Sequence, residues 1–358
     1  MPPELSTSHL LVVRRPIVVK FGTSLIAGPG GRVRRTVLRR RAREIAELVG
    51  AGTPVCVVSS GAIALGLPRL GLDRRPRSMP QMQAASALGQ ARLQAAWDDA
   101  LGREGVTAAQ VLLTGREIAD RGAYVNARNA LHALHALGAV PVVNENDATA
   151  TDEISLGDND ALAAQVAILA RARLLVLLTE AEGVFTRAPG EPGAEPIGDG
   201  AAVDSAVFGK GTALGTGGME SKIAAAHMAV AAGITTVIAG GTGESVLGPI
   251  VAGEPRGTRF AAEEGTQPAF KLWLRFGTPV VGRLHVDEGA RRAVREEGRS
   301  LLAVGVLSCE GRFEAGDGVE LVCDGVAFAK GLSAGSAAEL AGRPRGVEAV
   351  HRDRLVLY

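Results

Sequence analysis

Aromatic residues make up only 3% of this 358-residue chain, which also holds just three cysteines and six histidines. Each scarcity excludes a class of chemistry. Cys56, Cys309 and Cys323 form no C-x-x-C pair and leave an odd count. A disulfide framework or zinc ribbon is therefore not expected, and the thiols read as buried or free in a reducing cytoplasm. His9, His132, His135, His227, His285 and His351 all stand apart from the polar clusters of the chain. His132 and His135 share a helix face with no third ligand beside them, so no protein-held metal site is expected. Without a histidine in a polar cluster, a Ser-His-Asp hydrolase has no base. Charge of one sign is missing too: 39 Lys+Arg against 38 Asp+Glu leave +1, which does not announce a nucleic-acid or membrane-surface binder. No apolar run approaches the length that crosses a bilayer, and residues 1–9 are polar and proline-containing, without a signal pattern. A cytoplasmic protein with no membrane partner is the expectation.

What the chain has in quantity is glycine, 47 residues of it, in a composition that is 46% hydrophobic. The length predicts two domains. Up to residue 240, short Val/Ile/Leu runs alternate with helical patterns. Strands are expected at 17–19, 54–58, 109–113, 140–143, 174–178 and 235–239. Helices are expected at 36–49, 79–101 (as one or two), 126–137, 160–170 and 223–232. Continuous apolar strands alternating with helices predict an α/β fold: an open, mostly parallel sheet with helices on both faces. The arginine-rich run 32–43 reads as the solvated face of the first helix, with Val37, Leu38, Ile45 and Leu48 turned inward.

Composition changes over 253–270, a Gly/Pro/Glu-rich stretch read as the link between domains. Beyond it, β-type runs at 273–276, 279–286, 300–307, 318–323, 326–329 and 354–357, with one helix at 288–297, predict a small β-rich domain. The division expected is 1–262, a linker at 263–269, and 270–358.

The polar clusters fall at the C-terminal ends of the expected strands, where open α/β sheets bind ligands. They are Lys20-Phe21-Gly22-Thr23-Ser24, Ser59-Ser60-Gly61, Asn144-Glu145-Asn146-Asp147 and Thr179-Glu180. A further cluster, Leu214-Gly215-Thr216-Gly217-Gly218-Met219-Glu220-Ser221-Lys222, runs into a helix. Lys222 thus sits at a helix N-terminus, where backbone N–H groups attract an anion and a lone cation is disfavoured. A lysine is in place there if it shares a phosphate with those groups. Lys20 precedes a Gly-Thr-Ser turn that is not a Walker A loop. Together the two lysines suit the clamp that phosphoryl transfer needs. Gly157-Asp158-Asn159-Asp160 opens another helix, and Asp160 is placed either to orient the lysines or to hold Mg²⁺ through water. Asn144, Asn146, Asp147 and Asn159 offer the acceptors and donors that hold a zwitterionic amino acid, with Ser60 and Gly61 for its α-carboxylate. The missing base fits a carboxylate acceptor, which is already ionised near neutral pH.

Val18-Val19-Lys20-Phe21-Gly22-Thr23-Ser24, Val58-Ser59-Ser60-Gly61-Ala62-Ile63-Ala64, Val143-Asn144-Glu145-Asn146-Asp147, Gly157-Asp158-Asn159-Asp160 and Gly215-Thr216-Gly217-Gly218-Met219 with Lys222 resemble the glutamate 5-kinases of the amino acid kinase family. Val286-Asp287-Glu288-Gly289-Ala290 and His351-Arg352-Asp353 in the tail resemble the PUA domain of bacterial members. The resemblance implies ATP-dependent phosphorylation of the γ-carboxylate of L-glutamate, which begins proline biosynthesis, with ATP as co-substrate, Mg²⁺, feedback by L-proline and a homo-oligomer (dimer or tetramer). It implies that Lys20, Lys222 and Asp160 are catalytic and that Ser60, Asp147 and Asn159 bind glutamate. It places Lys20, Thr179, Glu180 and the loop Thr216, Gly217, Gly218, Met219, Glu220, Ser221 and Lys222 on the nucleotide. Two departures stand out: Thr179-Glu180 replaces the usual Thr-Asp, and the PUA-like segment 331–350 is short. A different small carboxylate is the alternative acceptor. RNA binding through the tail is the alternative from another class, but residues 270–358 carry 13 Lys+Arg against 12 Asp+Glu, far from a basic footprint, and few stacking aromatics.

Overall fold

The computed structural model describes residues 14–149, 159–187, 189–203, 218–262 and 268–358. The chain divides into two compact units, Met1–Glu117 with Gly122–Gly265, and Ile118–Arg121 with Thr266–Tyr358.

The first unit is built on a seven-stranded sheet: β1 (Ile17–Phe21), β2 (Val55–Ser59), β3 (Ala108–Leu113), β4 (Val140–Glu145), β5 (Leu174–Thr179), β6 (Thr235–Gly240) and β7 (Thr258–Phe260). Their order is β7-β6-β5-β1-β2-β4-β3. All neighbours run parallel except the edge strand β7, which pairs antiparallel to β6. β1, β2 and the apolar positions of β4 and β5 are buried without alternation, as a sheet covered on both faces requires. The main helices are α1 (Arg35–Gly50), α2 (Met79–Gly102), α3 (Arg121–Ala136), α4 (Asp160–Leu169) and α5 (Gly218–Ala231). The expected fold is therefore the observed one, and the expected 79–101 pattern is a single helix.

Register decides what the strand ends can do. Lys20 lies beside Val58 of β2 and Leu177 of β5, while Val143 of β4 lies beside Val58. Lys20, Ser59 and Asn144 consequently emerge at one edge of the sheet. Below them Phe21 meets Trp97 of α2 edge-to-face at 4.8 Å, and the Trp97 indole N–H donates to Ser59 Oγ at 2.9 Å. Two glycines bring α2 against the short helix Ala62–Gly66. A Cβ on Gly66 would lie 1.8 Å from Ala85 O, and one on Gly89 would lie 1.8 Å from Ala62 O. Only backbone fits there, and the contact carries Ser86 and Gln90 of α2 to the strand ends.

Two expectations of this unit need correction. The non-periodic stretch 253–270 contains β7, whose three residues alternate buried, exposed, buried. The arginine run is not wholly solvated, because Arg41 is fully buried. It pairs with Glu44 at 3.0 Å and donates to Gly243 O and Glu244 O. Glu44 in turn accepts from the N–H groups of Val246 and Leu247. The pair therefore ties α1 to the loop after β6, and burial pushes the Arg41 guanidinium below its ordinary value.

The second unit holds a five-stranded mixed sheet of β8 (Gly282–Val286), β9 (Val306–Gly311), β10 (Gly318–Cys323), β11 (Val326–Leu332) and β12 (Leu355–Leu357), in the order β9-β8-β10-β11-β12. Its core gathers Leu284, Phe313, Leu321, Phe328 and Val350. Helix α6 (Glu288–Arg295) begins where Asp287 accepts from the Ala290 N–H at 2.7 Å, a side-chain N-cap. The apolar run expected as a strand at 273–276 is instead helical, continuing Ala269–Leu272. A short apolar run does not reveal its period. Far from the tail in sequence, Ile118 belongs to this unit because its carbonyl accepts from the Trp273 indole at 2.9 Å.

Candidate active site

Asp160 is the first residue of α4, where a carboxylate is favoured by the helix dipole. It is fully buried and takes one lysine on each oxygen: Lys20 Nζ at 2.5 Å from Oδ1 and Lys222 Nζ at 3.0 Å from Oδ2. Ser221 Oγ also donates to Oδ2 at 3.1 Å. Lys222 lies in the first turns of α5, and its ammonium reaches back to Gly218 O at 2.8 Å. The trio joins β1, α4 and α5 at the C-terminal edge of the sheet. Both ammoniums and the carboxylate they share are almost completely buried. Buried charges need partners around them, and here two lysines and an aspartate are gathered at one point of the sheet edge.

Next to it lies a cavity of about 180 Å³, with Thr23, Ser60, Ala62, Asn144, Asp147 and Asn159 among its walls. Gly61 also lines it, with φ of 112°. A Cβ there would meet Ile26 Cγ2 at 2.9 Å, so the turn after β2 requires glycine on both counts. Asn159 stands at the N-cap position of α4 but makes no side-chain cap bond. Its amide N–H instead donates to Asn144 Oδ1 at 2.6 Å and reaches Ser59 O at 3.4 Å. Asn144 donates onward to Gln90 Oε1 at 2.8 Å. Asp147 is buried and accepts from the Ser86 hydroxyl. Burial pushes the Asp147 carboxyl above its ordinary value, opposed by the Ser86 hydrogen bond and the Arg75 charge. Two buried polar atoms here, Ser60 Oγ and Gln90 Nε2, have no hydrogen-bond partner among the described residues. A buried hydroxyl without a partner costs free energy, and Ser60 lines the cavity.

Residues 15–240 match the profile of the Amino acid kinase family, and residues 282–352 match the PUA domain. The glutamate 5-kinase of Pseudomonas entomophila (strain L48) is 42% identical over 95% of this chain and 97% of its own length. That of Geobacter sp. (strain M21) is 40% identical over 98% and 99%. The chain belongs to the amino acid kinase family, in its glutamate 5-kinase branch. Among solved structures, isopentenyl phosphate kinase aligns with a TM-score of 0.49 and 21% identity, over 68% of this chain and 99% of its own.

Set beside that family, the residues singled out from sequence divide into two groups. Lys20, Asp160 and Lys222 meet in one buried cluster, while Ser60, Asp147 and Asn159 line the cavity. Thr179 ends β5 half-buried, and exposed Glu180 lies 3.5 Å from Arg34. Met219 and Ser221 are half-buried, Gly218 and Glu220 exposed. Thr216 and Gly217, like Gly157 and Asp158, lie outside the described residues. Both Asp160 oxygens already carry an ammonium, and no step is assigned to a metal. No described helix is long and apolar enough to cross a membrane.

Ser86, Gln90 and Arg75 were not legible as site residues. Ser86 and Gln90 do carry a signal, being two polar side chains at i and i+4 on one face of an alanine-rich helix. Arg75 sits in a loop, and the sequence around it, Arg74-Arg75-Pro76-Arg77, does not say which arginine lines the cavity.

Proposed function

We propose that this chain transfers the γ-phosphoryl group of ATP to the γ-carboxylate of L-glutamate, giving glutamyl 5-phosphate and ADP in the first step of proline biosynthesis. A carboxylate oxygen bonds to the γ-phosphorus while the bond to the β,γ-bridging oxygen breaks, and its electron pair leaves with ADP. No proton moves, in keeping with a site whose buried titratable groups are two lysines and carboxylates rather than a histidine. The barrier is the approach of two anions. Lys20 and Lys222 offset that repulsion at the transferring group, and Asp160 holds their ammoniums in place. Ser60, Asp147 and Asn159 bind glutamate, with the Asp147 carboxylate on its α-ammonium. Thr179, Glu180 and the segment Thr216 to Lys222 face the nucleotide.

The observation that supports this most is the buried Lys20–Asp160–Lys222 trio beside a cavity with an unpartnered Ser60 hydroxyl. Incubation with ATP, hydroxylamine and glutamate should yield the hydroxamate of the trapped acyl phosphate. Equal or greater yield from aspartate or another small carboxylate would move the reading to a different acceptor.

The reading extends to regulation and setting. L-proline resembles glutamate in its α-carboxylate and α-nitrogen and would occupy the same cavity, so it should raise the KM for glutamate more than that for ATP. Titration to millimolar proline without inhibition would remove this feedback. We also infer Mg²⁺ as companion of ATP, a cytoplasmic location, and a homo-oligomer, whose mass in solution light scattering measures.

A further inference from the structure

Three arginines crowd the loop between the turn Leu67–Leu70 and α2, at positions 74, 75 and 77. Of these only Arg75 lines the cavity that holds Ser60 and Asp147. Pro76 behind it restricts Arg75 to extended backbone, which fixes where its side chain departs. The Arg75 guanidinium is partly withdrawn from water, which pushes it below its ordinary value against the opposing pull of Asp147. It makes no hydrogen bond among the described residues. A guanidinium on the cavity wall with no hydrogen bond of its own has five N–H donors to offer an oxyanion.

The neighbours narrow which oxyanion. The phosphate end already has its two lysines, gathered on Asp160. The group at the far end of the cavity shares its wall with a carboxylate, Asp147. Opposite charges on one wall match the ammonium and carboxylate that an α-amino acid carries on a single carbon. We propose that Arg75 takes the α-carboxylate of the amino-acid substrate while Asp147 takes its α-ammonium, so that the pair selects a zwitterion over a simple dicarboxylate. Arginine suits the task better than lysine because its planar fork meets both oxygens. In that role Arg75 acts on specificity, not on the phosphoryl step. The proposal rests on the reading of the chain as a glutamate kinase.

Two truncated substrates separate the contacts. Glutarate keeps both carboxylates and lacks the ammonium, whereas 4-aminobutyrate keeps the ammonium and lacks the α-carboxylate. With wild type and Arg75→Gln, the KM and kcat for glutamate are measured, together with inhibition constants of both analogues against glutamate. Arg75→Gln should raise the glutamate KM and the glutarate constant about ten- to a hundredfold. The 4-aminobutyrate constant should stay within about twofold, with kcat little changed. Arg75→Lys should fall between. If Arg75 merely keeps Asp147 ionised, 4-aminobutyrate weakens and glutarate does not, which overturns the proposal. An unchanged glutamate KM, or a fall in kcat alone, overturns it as well, and where neither analogue binds the wild type the glutamate KM decides. A wild type that forms no acyl phosphate from glutamate would instead defeat the function proposed above.

Discussion

Among the described residues the molecule buries three lysines and treats them in two ways. Lys20 and Lys222, 2% and 7% exposed in the first unit, both lean on the Asp160 carboxylate. Lys330, 4% exposed in the second unit, donates to two backbone carbonyls, Arg275 O and Thr278 O. No carboxylate touches it at ion-pair distance among the described residues, and burial pushes its ammonium down to about 8. The first pair is charge kept in place by a counter-charge. The single lysine is a staple that closes a turn, since a neutral amine still has two N–H donors for its two carbonyls. Burial alone therefore does not distinguish the two kinds of lysine; what each one pairs with does.

The strongest way to break this comparison is to remove the lysines one at a time. Lys20→Ala and Lys222→Ala should each lower kcat by about two orders of magnitude or more, as loss of an electrostatic stabiliser does. Lys330→Met should leave kcat within about twofold. Steady-state rates on the three folded variants decide it, and a Lys330→Met enzyme as slow as Lys20→Ala would erase the distinction.

A smaller effect sharpens the comparison within the site, between the lysine cluster and the cavity. Asp147→Asn removes one charge-assisted contact and should raise the glutamate KM about ten- to a hundredfold. Calorimetric affinity for a non-hydrolysable ATP analogue should not change. The pH dependence follows in sign. Burial raises the Asp147 carboxyl, so its protonation begins at higher pH than for an exposed aspartate, and the glutamate KM should climb on acidification from that point. In Asp147→Asn that climb should be gone. If nucleotide affinity collapses instead, the two are not separable.

The smallest effect lies in the second unit. The folded Lys330 amine titrates near 8 and its unfolded counterpart at 10.5. Between those values the unfolded chain binds more protons, so stability should rise with pH across that window. Below 8 both forms are charged and the penalty is constant. Calorimetric unfolding of wild type against Lys330→Met should show the rise only in the wild type.

Much of this was readable from residue order. Uninterrupted Val/Ile/Leu runs such as 174–178 mark buried parallel strands because both faces of such a sheet exclude water. Polar residues at their ends mark the crevice. β7 escaped because a three-residue edge strand has no run to detect, and 273–276 because four apolar residues fit either period. Arg41 escaped because nothing in a run of like charges tells which member finds a buried carboxylate.

The sequence by itself determined the sheet, the order of its strands' polar tips and the residue types needed to offset two anions. Local periodicity and short motifs carry that information over a few residues. Only the tertiary structure decided that Asp160 divides its oxygens between lysines from β1 and α5, that Gly66 and Gly89 let α2 deliver Ser86 and Gln90 to the crevice, and that Arg75 rather than Arg74 or Arg77 joins Asp147 on its wall. Those choices depend on register and close backbone approach between segments distant in sequence, where burial sets the value of every charge.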